Sequence, residues 1–321
     1  MQSQNLIHIA LAANHRYLPG LLVTMVSMIR ASKKKEALRF HILMEGLTGE
    51  DKTQISSFAS EYGIHEVEFF APDMNAIKER FSAYKNSHAA FLRLFLPEFF
   101  AYEWMLYSDV DTLWLKDPAE LWAMRDDSVS LLWCKDVPSI SHLVHRYSKW
   151  NPDFDEEKYA CSGVVLMNLK RLRESGFVAK AIDFVNRWGT PFFVDQDILN
   201  HICRDDAKIL PQCWDCMMPA KEAVNGLVYH FNGIGGMFNL PFSGWRPLYY
   251  PWYRFYYDFV KKEPDRKVCG IFKRIVFWLL GFLFPFSWMF RAVLSRKNPL
   301  SDNIYRQLFF AWLWRKAKWR W

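Results

Sequence analysis

Residues 104–115 have the sequence WMLYSDVDTLWL, in which Asp109 and Asp111 interrupt an otherwise apolar stretch. The residues before Asp109 have the composition of a buried strand, and apolar residues resume at Leu113. Two carboxylates one residue apart at the end of a strand can hold a hard divalent cation against a diphosphate. The stretch therefore predicts a strand that carries a metal site to one edge of a sheet.

The D-x-D spacing is weak evidence by itself, since about one such pair is expected by chance in a chain of this length. The chain contains three: Asp109/Asp111, Asp153/Asp155 and Asp195/Asp197. Only the first directly follows a strand-like apolar run and is itself followed by apolar residues. Its position in the sequence favours it as the metal-binding pair.

Strand-like and helix-like segments alternate in the first part of the chain. Strand patterns occupy residues 6–11, 40–43, 67–70, 105–108 and 129–133. Helix patterns occupy residues 18–29, 48–63 and 87–95. The second helix begins with a capping box at Thr48 and ends near Tyr62-Gly63, and we expect the third to stop at Pro97. This rhythm predicts an α/β fold with a mostly parallel sheet and helices on both faces. Ligands of such sheets bind at the carboxyl ends of strands, where Asp109 stands.

Glycine-rich phosphate loops are absent from the sequence. The first predicted strand is followed by residues 12–17, AANHRY, in place of a G-x-G-x-x-G fingerprint, and there is no G-x-x-x-x-G-K-[ST]. Phosphate would then be held by a metal and by side chains.

Charge divides the chain into two parts. Residues 261–321 carry 14 Lys/Arg and 3 Asp/Glu, a net charge of +11, so residues 1–260 carry −4 of the total of +7. At 321 residues and 51% hydrophobic content, the chain has room for one large α/β domain with an appendage. We expect a folded body over residues 1–260 and a basic, aromatic helical tail over residues 261–321.

The tail has the composition of a segment that lies on a membrane. Residues 275–290 are uncharged, but 16 residues fall short of the about 20 that span a bilayer, and Pro285 interrupts them. The chain closes with WLWRKAKWRW over residues 312–321, and interleaved Trp and Lys/Arg suit an anionic lipid surface. The alternative is a helical pair packed on the body. Nucleic-acid binding is disfavoured, because the basic residues follow apolar runs and the body is acidic.

The amino terminus and the cysteines indicate a reducing compartment. Residues 1–14 have no Lys or Arg before a short apolar stretch, so we expect no export signal. The six cysteines include one C-x-x-C spacing, Cys213 to Cys216, without a second pair. This favours buried, reduced thiols over a zinc site.

Six short motifs occur in a recognisable order: residues 12–17 (AANHRY), Arg93, residues 107–111 (YSDVD), residues 161–164 (CSGV), residues 195–200 (DQDILN) and residues 230–233 (HFNG). Together they resemble glycosyltransferase family 8, in particular its bacterial lipopolysaccharide galactosyl- and glucosyltransferases, over about residues 5–250. The resemblance implies a GT-A fold, a UDP-sugar donor, Mn²⁺ with Mg²⁺ as the alternative, and retention of the anomeric configuration.

The resemblance also implies roles for individual residues. Asp109, Asp111 and His230 would ligate the metal. Donor contacts would come from these two aspartates and from Ala12, Asn14, Tyr17, Arg93, Val110, Asp136, Ser162, Gly163, Asp195, Gln196, Gly233 and Arg246. Four of these residues have a simpler alternative: His230 as a strand-end histidine, Arg93 as a helix-surface residue paired with Glu98 or solvent, Asp136 as an exposed loop carboxylate, and Asp195 as a helix cap.

The implied catalytic residues are Asp195 and Gln196. Retention normally indicates a carboxylate nucleophile, but an amide such as Gln196 is a poor one. We therefore favour substitution on one face of the sugar through an oxocarbenium-like ion pair, in which the leaving UDP oxygen helps to deprotonate the acceptor.

Three positions depart from the family pattern. Asn14 stands where the family usually has Asp, Cys161 where it commonly has Asn, and Gly236 where a diphosphate-binding Lys is expected. Arg246, about ten residues later, would replace that Lys after an insertion.

The resemblance, together with the composition of the tail, thus implies a retaining hexosyltransferase that is peripheral on the cytoplasmic face of a bacterial inner membrane. It would transfer galactose or glucose from a UDP-sugar to a lipopolysaccharide core. The alternatives are a catalytically silent nucleotide-sugar- or glycan-binding protein at the membrane and a metal-dependent phosphohydrolase with an Asp nucleophile.

Overall fold

The computed structural model describes residues 6–84, 86–136, 158–217, 226–231 and 250–262. The pair Asp153/Asp155, Gly233, Gly236, Arg246 and the tail from residue 263 onward lie outside the described residues.

Strands of the described residues form two sheets. They are β1 Ile7–Ala13, β2 Leu38–Met44, β3 Val67–Phe70, β4 Trp104–Ser108, β5 Thr112–Trp114, β6 Leu131–Lys135, β7 Ala160–Asn168, β8 Ala207–Ile209, β9 Cys216–Met217 and β10 Val228–His230. The larger sheet has the order β3-β2-β1-β4-β7-β6-β8, and the smaller has the order β5-β10-β9. In the larger sheet only β7 runs against its neighbours β4 and β6. The predicted mostly parallel sheet is confirmed.

Helices cover both faces of the larger sheet. They are α1 Leu18–Ala31, α2 Gly49–Glu61, α3 Met74–Arg80, α4 Leu96–Phe99, α5 Pro118–Trp122, α6 Leu169–Glu174, α7 Phe177–Trp188, α8 Val194–Cys203 and α9 Tyr250–Phe255. Successive residues of β1 point to opposite faces: Ile9 packs in a cluster with Leu21 of α1, whereas Ala10 packs in a second cluster with Leu199 of α8. Burial on both faces explains why β1 is an almost continuous apolar run.

The predicted capping box of α2 is confirmed. The Asp51 amide donates to Thr48 Oγ1 at 3.1 Å, and the Thr48 amide donates to Asp51 Oδ2 at 2.9 Å. These two bonds satisfy amides that a helix start would otherwise leave unpaired.

The expected helix over residues 87–95 is helical in part, but the expected stop at Pro97 is wrong. Ala89–Phe95 forms a 3₁₀ helix, and Pro97 lies inside the first turn of α4. A first turn tolerates proline because its amides have no partner within the helix, so Pro97 helps to begin a helix instead of ending one.

Helix α1 anchors the smaller sheet to the larger one. Thr24 Oγ1 donates to the carbonyl oxygen of Thr112 at 2.9 Å, and the amide of Trp114 donates to Ser27 Oγ at 3.0 Å. Both hydroxyls are buried, so they pair polar groups of β5 that would otherwise be unsatisfied. These two hydrogen bonds to α1 therefore fix the position of β5.

The segment of residues 250–262 packs on the preceding part of the chain. The guanidinium carbon of Arg30 lies 3.8 Å from the ring centroid of Phe259, and Tyr62 Oη donates to the carbonyl oxygen of Phe259 at 2.6 Å. Among the described residues, no helix combines the length and the apolar character needed to cross a membrane.

Two histidines meet at the amino-terminal edge of the sheet. Nδ1 of His8 lies 3.0 Å from Nε2 of His41, and the His8 ring stacks on Tyr102 with 3.7 Å between centroids. Burial, assisted by His41 and Arg39, lowers the pKa of His8 from 6.5 to about 4. The unfolded chain therefore takes up a proton at a higher pH than the folded chain does.

This difference predicts a loss of stability in mild acid. His8 contributes a decrease in the free energy of unfolding as the pH falls from about 6.5 toward about 4. His8→Phe keeps an aromatic ring against Tyr102 and has no titrating group, so urea unfolding at several pH values in this window should show a shallower decrease. An unchanged pH dependence would contradict the assignment.

Candidate functional site

The predicted site residues meet at one edge of the larger sheet. Asn14 follows β1, Asp109 follows β4 and Asp136 follows β6, and these three strands point in one direction. Because β7 runs the other way, its first residues, including Ser162 and Gly163, lie at the same edge. The carboxyl edge of the parallel strands is where the sequence predicts the ligand.

Asp109, Val110 and Asp111 form the turn that leads from β4 into β5. Strand β10 pairs with β5 so that His230 lies opposite Thr112, next to the turn. Nε2 of His230 is 3.2 Å from Asp111 Oδ1 and 3.7 Å from Asp109 Oδ2. Local sequence forms the turn, and pairing between distant strands brings the histidine to it.

This cluster fits a divalent cation. One ligand atom from each of Asp109, Asp111 and His230 lies within 4.8 Å of the others. Two carboxylates and one imidazole suit Mn²⁺ or a similar ion, and three protein ligands leave positions for diphosphate oxygens. The side chain of Val110 packs in the hydrophobic core instead, as does that of Ala12, so neither side chain points to a ligand.

Gly163 makes room for the His230 ring. A Cβ atom at Gly163 would lie 2.2 Å from Cε1 of the ring, far inside van der Waals contact. The carbonyl oxygen of Gly163 also accepts from the Asp109 amide at 2.7 Å. The absence of a side chain at this position leaves room for His230 to lie beside Asp109 and Asp111.

Nδ1 of His230 faces away from the turn and toward Asp215, whose Oδ1 lies 3.0 Å away. Sγ of Cys161 is farther from the same nitrogen, at 3.8 Å. Burial opposes protonation of His230, but Asp215 and then Asp111 outweigh it and raise the pKa of His230 well above its usual value. Sequence analysis did not identify Asp215 as a site residue. The one sequence feature that could have indicated it is its position inside the C-x-x-C segment.

Arg93 is buried at the centre of the site. Nη2 donates to Asp109 Oδ1 at 2.6 Å, Nε lies 3.0 Å from Asp195 Oδ2, and Nη1 donates to the carbonyl oxygen of Ser162. The guanidinium carbon stands 4.1 Å from the centroid of the Tyr107 ring. With 4% of its side chain exposed, Arg93 is not the surface residue of the alternative interpretation.

Asp195 and Asp197 have different partners. Asp195 Oδ2 accepts from Ser162 Oγ at 3.0 Å and faces Arg93, whereas Asp197 Oδ2 accepts from the Phe193 amide at 2.8 Å. Asp197 therefore caps the start of α8. Because Asp195 and Asp197 contact different partners, this D-x-D pair does not form a second metal site. Burial raises the pKa of Asp195 to about 6, although Arg93 partly offsets this.

Gln196 belongs to a polar network with predicted donor residues. Its Oε1 accepts from the Ser162 amide at 3.1 Å, and its Nε2 donates to Asp136 Oδ2 at 2.6 Å and to Tyr159 Oη at 3.2 Å. The helix begins at Val194, which has φ of 40°, an unfavourable backbone for a β-branched residue. Strain of this kind is common at functional sites, where the surroundings hold side chains in place.

Asn14 lies in a second network at the end of β1. Its Oδ1 accepts from the Tyr17 amide at 3.3 Å, and its Nδ2 donates to Glu45 Oε2 at 3.2 Å and to Ser87 Oγ at 3.3 Å. Glu45 also accepts from the His88 amide at 2.7 Å. Sequence analysis missed Glu45, and its position directly after β2 was the available signal.

A cavity of about 1470 Å³ lies at the opposite edge of the sheet. It is lined by residues from the amino-terminal ends of the strands, among them His8, Arg39 and Trp104. It is therefore separate from the metal cluster.

Comparison with known proteins identifies the family to which the chain belongs. The model of glycosyl transferase family 8 matches residues 8–234, and the chain belongs to this family. A putative glycosyltransferase of Haemophilus influenzae is 29% identical over 208 residues, which are 64% of this chain and 61% of that protein. General stress protein A of Bacillus subtilis is 24% identical over 221 residues, covering 67% of this chain and 75% of that protein. The chain thus spans less than two thirds of the Haemophilus relative.

Solved structures confirm the GT-A fold. The galactosyltransferase LgtC in complex with donor and acceptor sugar analogues aligns with a TM-score of 0.61 and 21% identity, covering 71% of this chain and 87% of LgtC. The bifunctional glycosyltransferase WbbM aligns with a TM-score of 0.63 and 18% identity, over 73% of this chain and 47% of WbbM.

The contact between Gly163 and His230 predicts that Gly163→Ala weakens binding of a divalent cation. The added methyl group must displace the His230 ring, whose Nδ1 is also held by Asp215. Misorientation of a ligand should lower Mn²⁺ affinity about tenfold or more in a calorimetric titration. Gly49→Ala is the control, because no atom lies within 4 Å of its added Cβ. Equal Mn²⁺ affinities of the two variants would contradict this account of Gly163.

The burial of Arg93 predicts that Arg93→Met destabilises the fold. Two carboxylates would lose the cation that compensates them, which typically lowers the free energy of unfolding by about 3–5 kcal/mol. Arg171→Met removes an ion pair to Asp206 that is 43% and 36% exposed, so its effect on stability should be much smaller. Urea unfolding gives the free energy of unfolding of both variants. Similar decreases for the two substitutions would contradict the larger contribution that we assign to the buried ion pairs of Arg93.

Proposed function

We propose that the chain is a retaining hexosyltransferase that transfers galactose or glucose from a UDP-sugar to a lipopolysaccharide core acceptor. Its cation would be Mn²⁺, with Mg²⁺ as the alternative. The observation that carries the proposal is the meeting of Asp109, Asp111 and His230, within 4.8 Å of one another, beside the network of Arg93, Asp195 and Gln196. Membership of family 8 supports the reaction class.

The arrangement supports one orientation of the donor along the sheet edge. The metal cluster would hold the diphosphate, and the Asn14 network at the end of the neighbouring strand β1 would hold the nucleoside. On the other side, Ser162, Asp195 and Gln196 offer hydroxyl, carboxylate and amide groups that suit a hexose. Galactose as one candidate is supported by the similarity to the galactosyltransferase LgtC.

The contacts of the carboxylates favour substitution without a covalent enzyme intermediate. Asp195 Oδ2 already accepts from Ser162 and faces the Arg93 cation, which lowers its nucleophilicity. Gln196 is held by Ser162 and Asp136, and an amide is a poor nucleophile. The acceptor proton would then go to the leaving oxygen of UDP, while the anomeric carbon passes through an oxocarbenium-like state. A bound divalent cation would supply neutralisation of the charge that develops on the leaving diphosphate.

Arg93 would act on the metal site without binding the donor directly. Nε donates to the Ala90 carbonyl oxygen at 3.1 Å, Nη1 to the Ser162 carbonyl oxygen and Nη2 to Asp109, and Asp195 lies at ion-pair distance, so the hydrogen-bonding capacity of Arg93 is largely used within the protein. It would hold a metal ligand and a sugar-binding carboxylate at a set separation. This differs from the direct donor contact that the sequence predicts.

A catalytically silent binding protein is the second candidate, and Cys161 is the observation that favours it. A sugar-facing amide is expected at this position, whereas the thiol points to His230. Loss of that amide removes a hydrogen-bonding group from the donor-sugar region.

A donor screen separates these candidates. UDP-galactose and UDP-glucose are incubated with Mn²⁺, with and without deacylated lipopolysaccharide core, and UDP release is measured. Transfer predicts release that increases with the acceptor and falls about 100-fold or more in Asp111→Asn, which loses a ligand charge. Asp205→Asn, at a 73% exposed side chain, should retain activity. Binding of UDP without release from either donor would establish the silent protein.

We further propose that the protein is peripheral on the cytoplasmic face of the inner membrane through the tail, residues 261–321. The support is the net basic, Trp-rich composition of the tail. Salt extraction of membranes should release the full chain only in part, whereas a chain ending after Lys262 should be soluble. Equal partition of the two chains into the soluble fraction would overturn this proposal.

A further inference from the structure

We propose that Asp215 is a positioning residue that orients His230 for the cation. The inference rests on the proposed function, because it takes a divalent cation at Asp109, Asp111 and His230 as given. Asp215 lies outside the cluster and selects which nitrogen of His230 faces the cation.

Strand pairing holds Asp215 beside the histidine. Asp215 lies between the 3₁₀ helix Gln212–Trp214 and β9, and β9 pairs in parallel with β10 so that Cys216 lies opposite Tyr229. The Asp215 carboxylate reaches His230 from the side away from the turn, with Oδ1 at 3.0 Å from Nδ1.

The contact selects one tautomer. An ionised carboxylate only accepts hydrogen bonds, so Nδ1 of His230 must carry a hydrogen. In the neutral ring the lone pair is then on Nε2, which faces Asp111 Oδ1 at 3.2 Å. Outer carboxylates of this kind fix ring orientation and raise the basicity of a metal-binding histidine.

Burial makes the contact strong and specific. The Asp215 residue is 0% exposed and His230 is 2% exposed, so water does not compete for the bond. Oδ2 of Asp215 has no hydrogen-bond partner among the described residues. An unpaired buried carboxylate oxygen is costly, and the added negative charge close to the cluster favours a divalent cation.

Cys161 offers a matched control. Its Sγ faces the same nitrogen at 3.8 Å and the residue is 3% exposed, but a thiol is a weak hydrogen-bonding partner. Ligand atoms of Cys161, Asp215 and His230 also lie within 4.8 Å of one another, so a soft metal bound by these three is the competing explanation. In that case both substitutions would matter equally.

The test compares Asp215→Asn with Cys161→Ala in the full chain. Mn²⁺ alone is titrated, with free Mn²⁺ followed by its electron paramagnetic resonance signal, and pulsed measurements detect the nitrogen nucleus of His230 bound to Mn²⁺. Asp215→Asn should lower Mn²⁺ affinity about 10–100-fold and weaken the nitrogen coupling, because an amide can also donate and so favours the wrong tautomer. Cys161→Ala should stay within about twofold of wild type, since no charge is lost.

The outcomes separate the inference from the proposed function. If wild type binds Mn²⁺ and Asp215→Asn binds it equally with full nitrogen coupling, the role of Asp215 is refuted while the metal site stands. An equal loss in Cys161→Ala would likewise refute it in favour of the soft-metal site. If wild type does not bind Mn²⁺, the proposed cation site itself fails.

A measurement on the wild type alone guards against a variant that does not fold. Nitrogen-15 spectra of the diamagnetic Mg²⁺-loaded protein should show a hydrogen on Nδ1 of His230 and none on Nε2. The opposite tautomer would refute the inference without any substitution.

Discussion

The burial of one guanidinium between two carboxylates is the constraint on which the site depends. Arg93 joins Asp109, which follows β4, to Asp195, which lies in the first turn of α8, and it also binds the Ser162 carbonyl oxygen at the start of β7. Three elements that are distant in sequence are thereby held at one point. Since an unpaired charge in this environment would be strongly unfavourable, loss of any one of these partners should destabilise the arrangement.

Around this centre the metal cluster is assembled by strand pairing. The D-x-D turn is placed by β5, which is anchored to Thr24 and Ser27 of α1, and His230 is placed by β10 against β5. Gly163 leaves space for the ring, and Asp215 holds its Nδ1. The same sheet edge therefore supplies the candidate ligands, their spacing and their orientation.

Features with local causes could be predicted from the sequence. The Thr48 capping box, the buried parallel strands and the D-x-D turn each rest on residue types within a few positions. Pro97 shows the limit of local rules, because proline both ends and begins helices. Antiparallel β7 and the small sheet depend on pairing across long stretches of chain, for which periodicity gives no signal.

The same limit applies to the site. Motif order identified Asp109, Asp111, His230, Arg93 and Gln196, which the structure brings together. Glu45 and Asp215 are single carboxylates in segments without a motif, so only the fold shows that they face Asn14 and His230. Which of Asp195 and Asp197 caps the helix also depended on where Arg93 lies.

We expect Asp109, Asp111 and His230 together to hold a divalent cation against the diphosphate of a nucleotide-sugar. Crystals of the full chain grown with Mn²⁺ and UDP can be measured by anomalous diffraction at the manganese absorption edge. One strong peak should lie within bonding distance of these three side chains and of oxygens of both phosphates. A peak elsewhere, or UDP bound at this edge with no manganese beside it, would show that these three residues do not form the cation site.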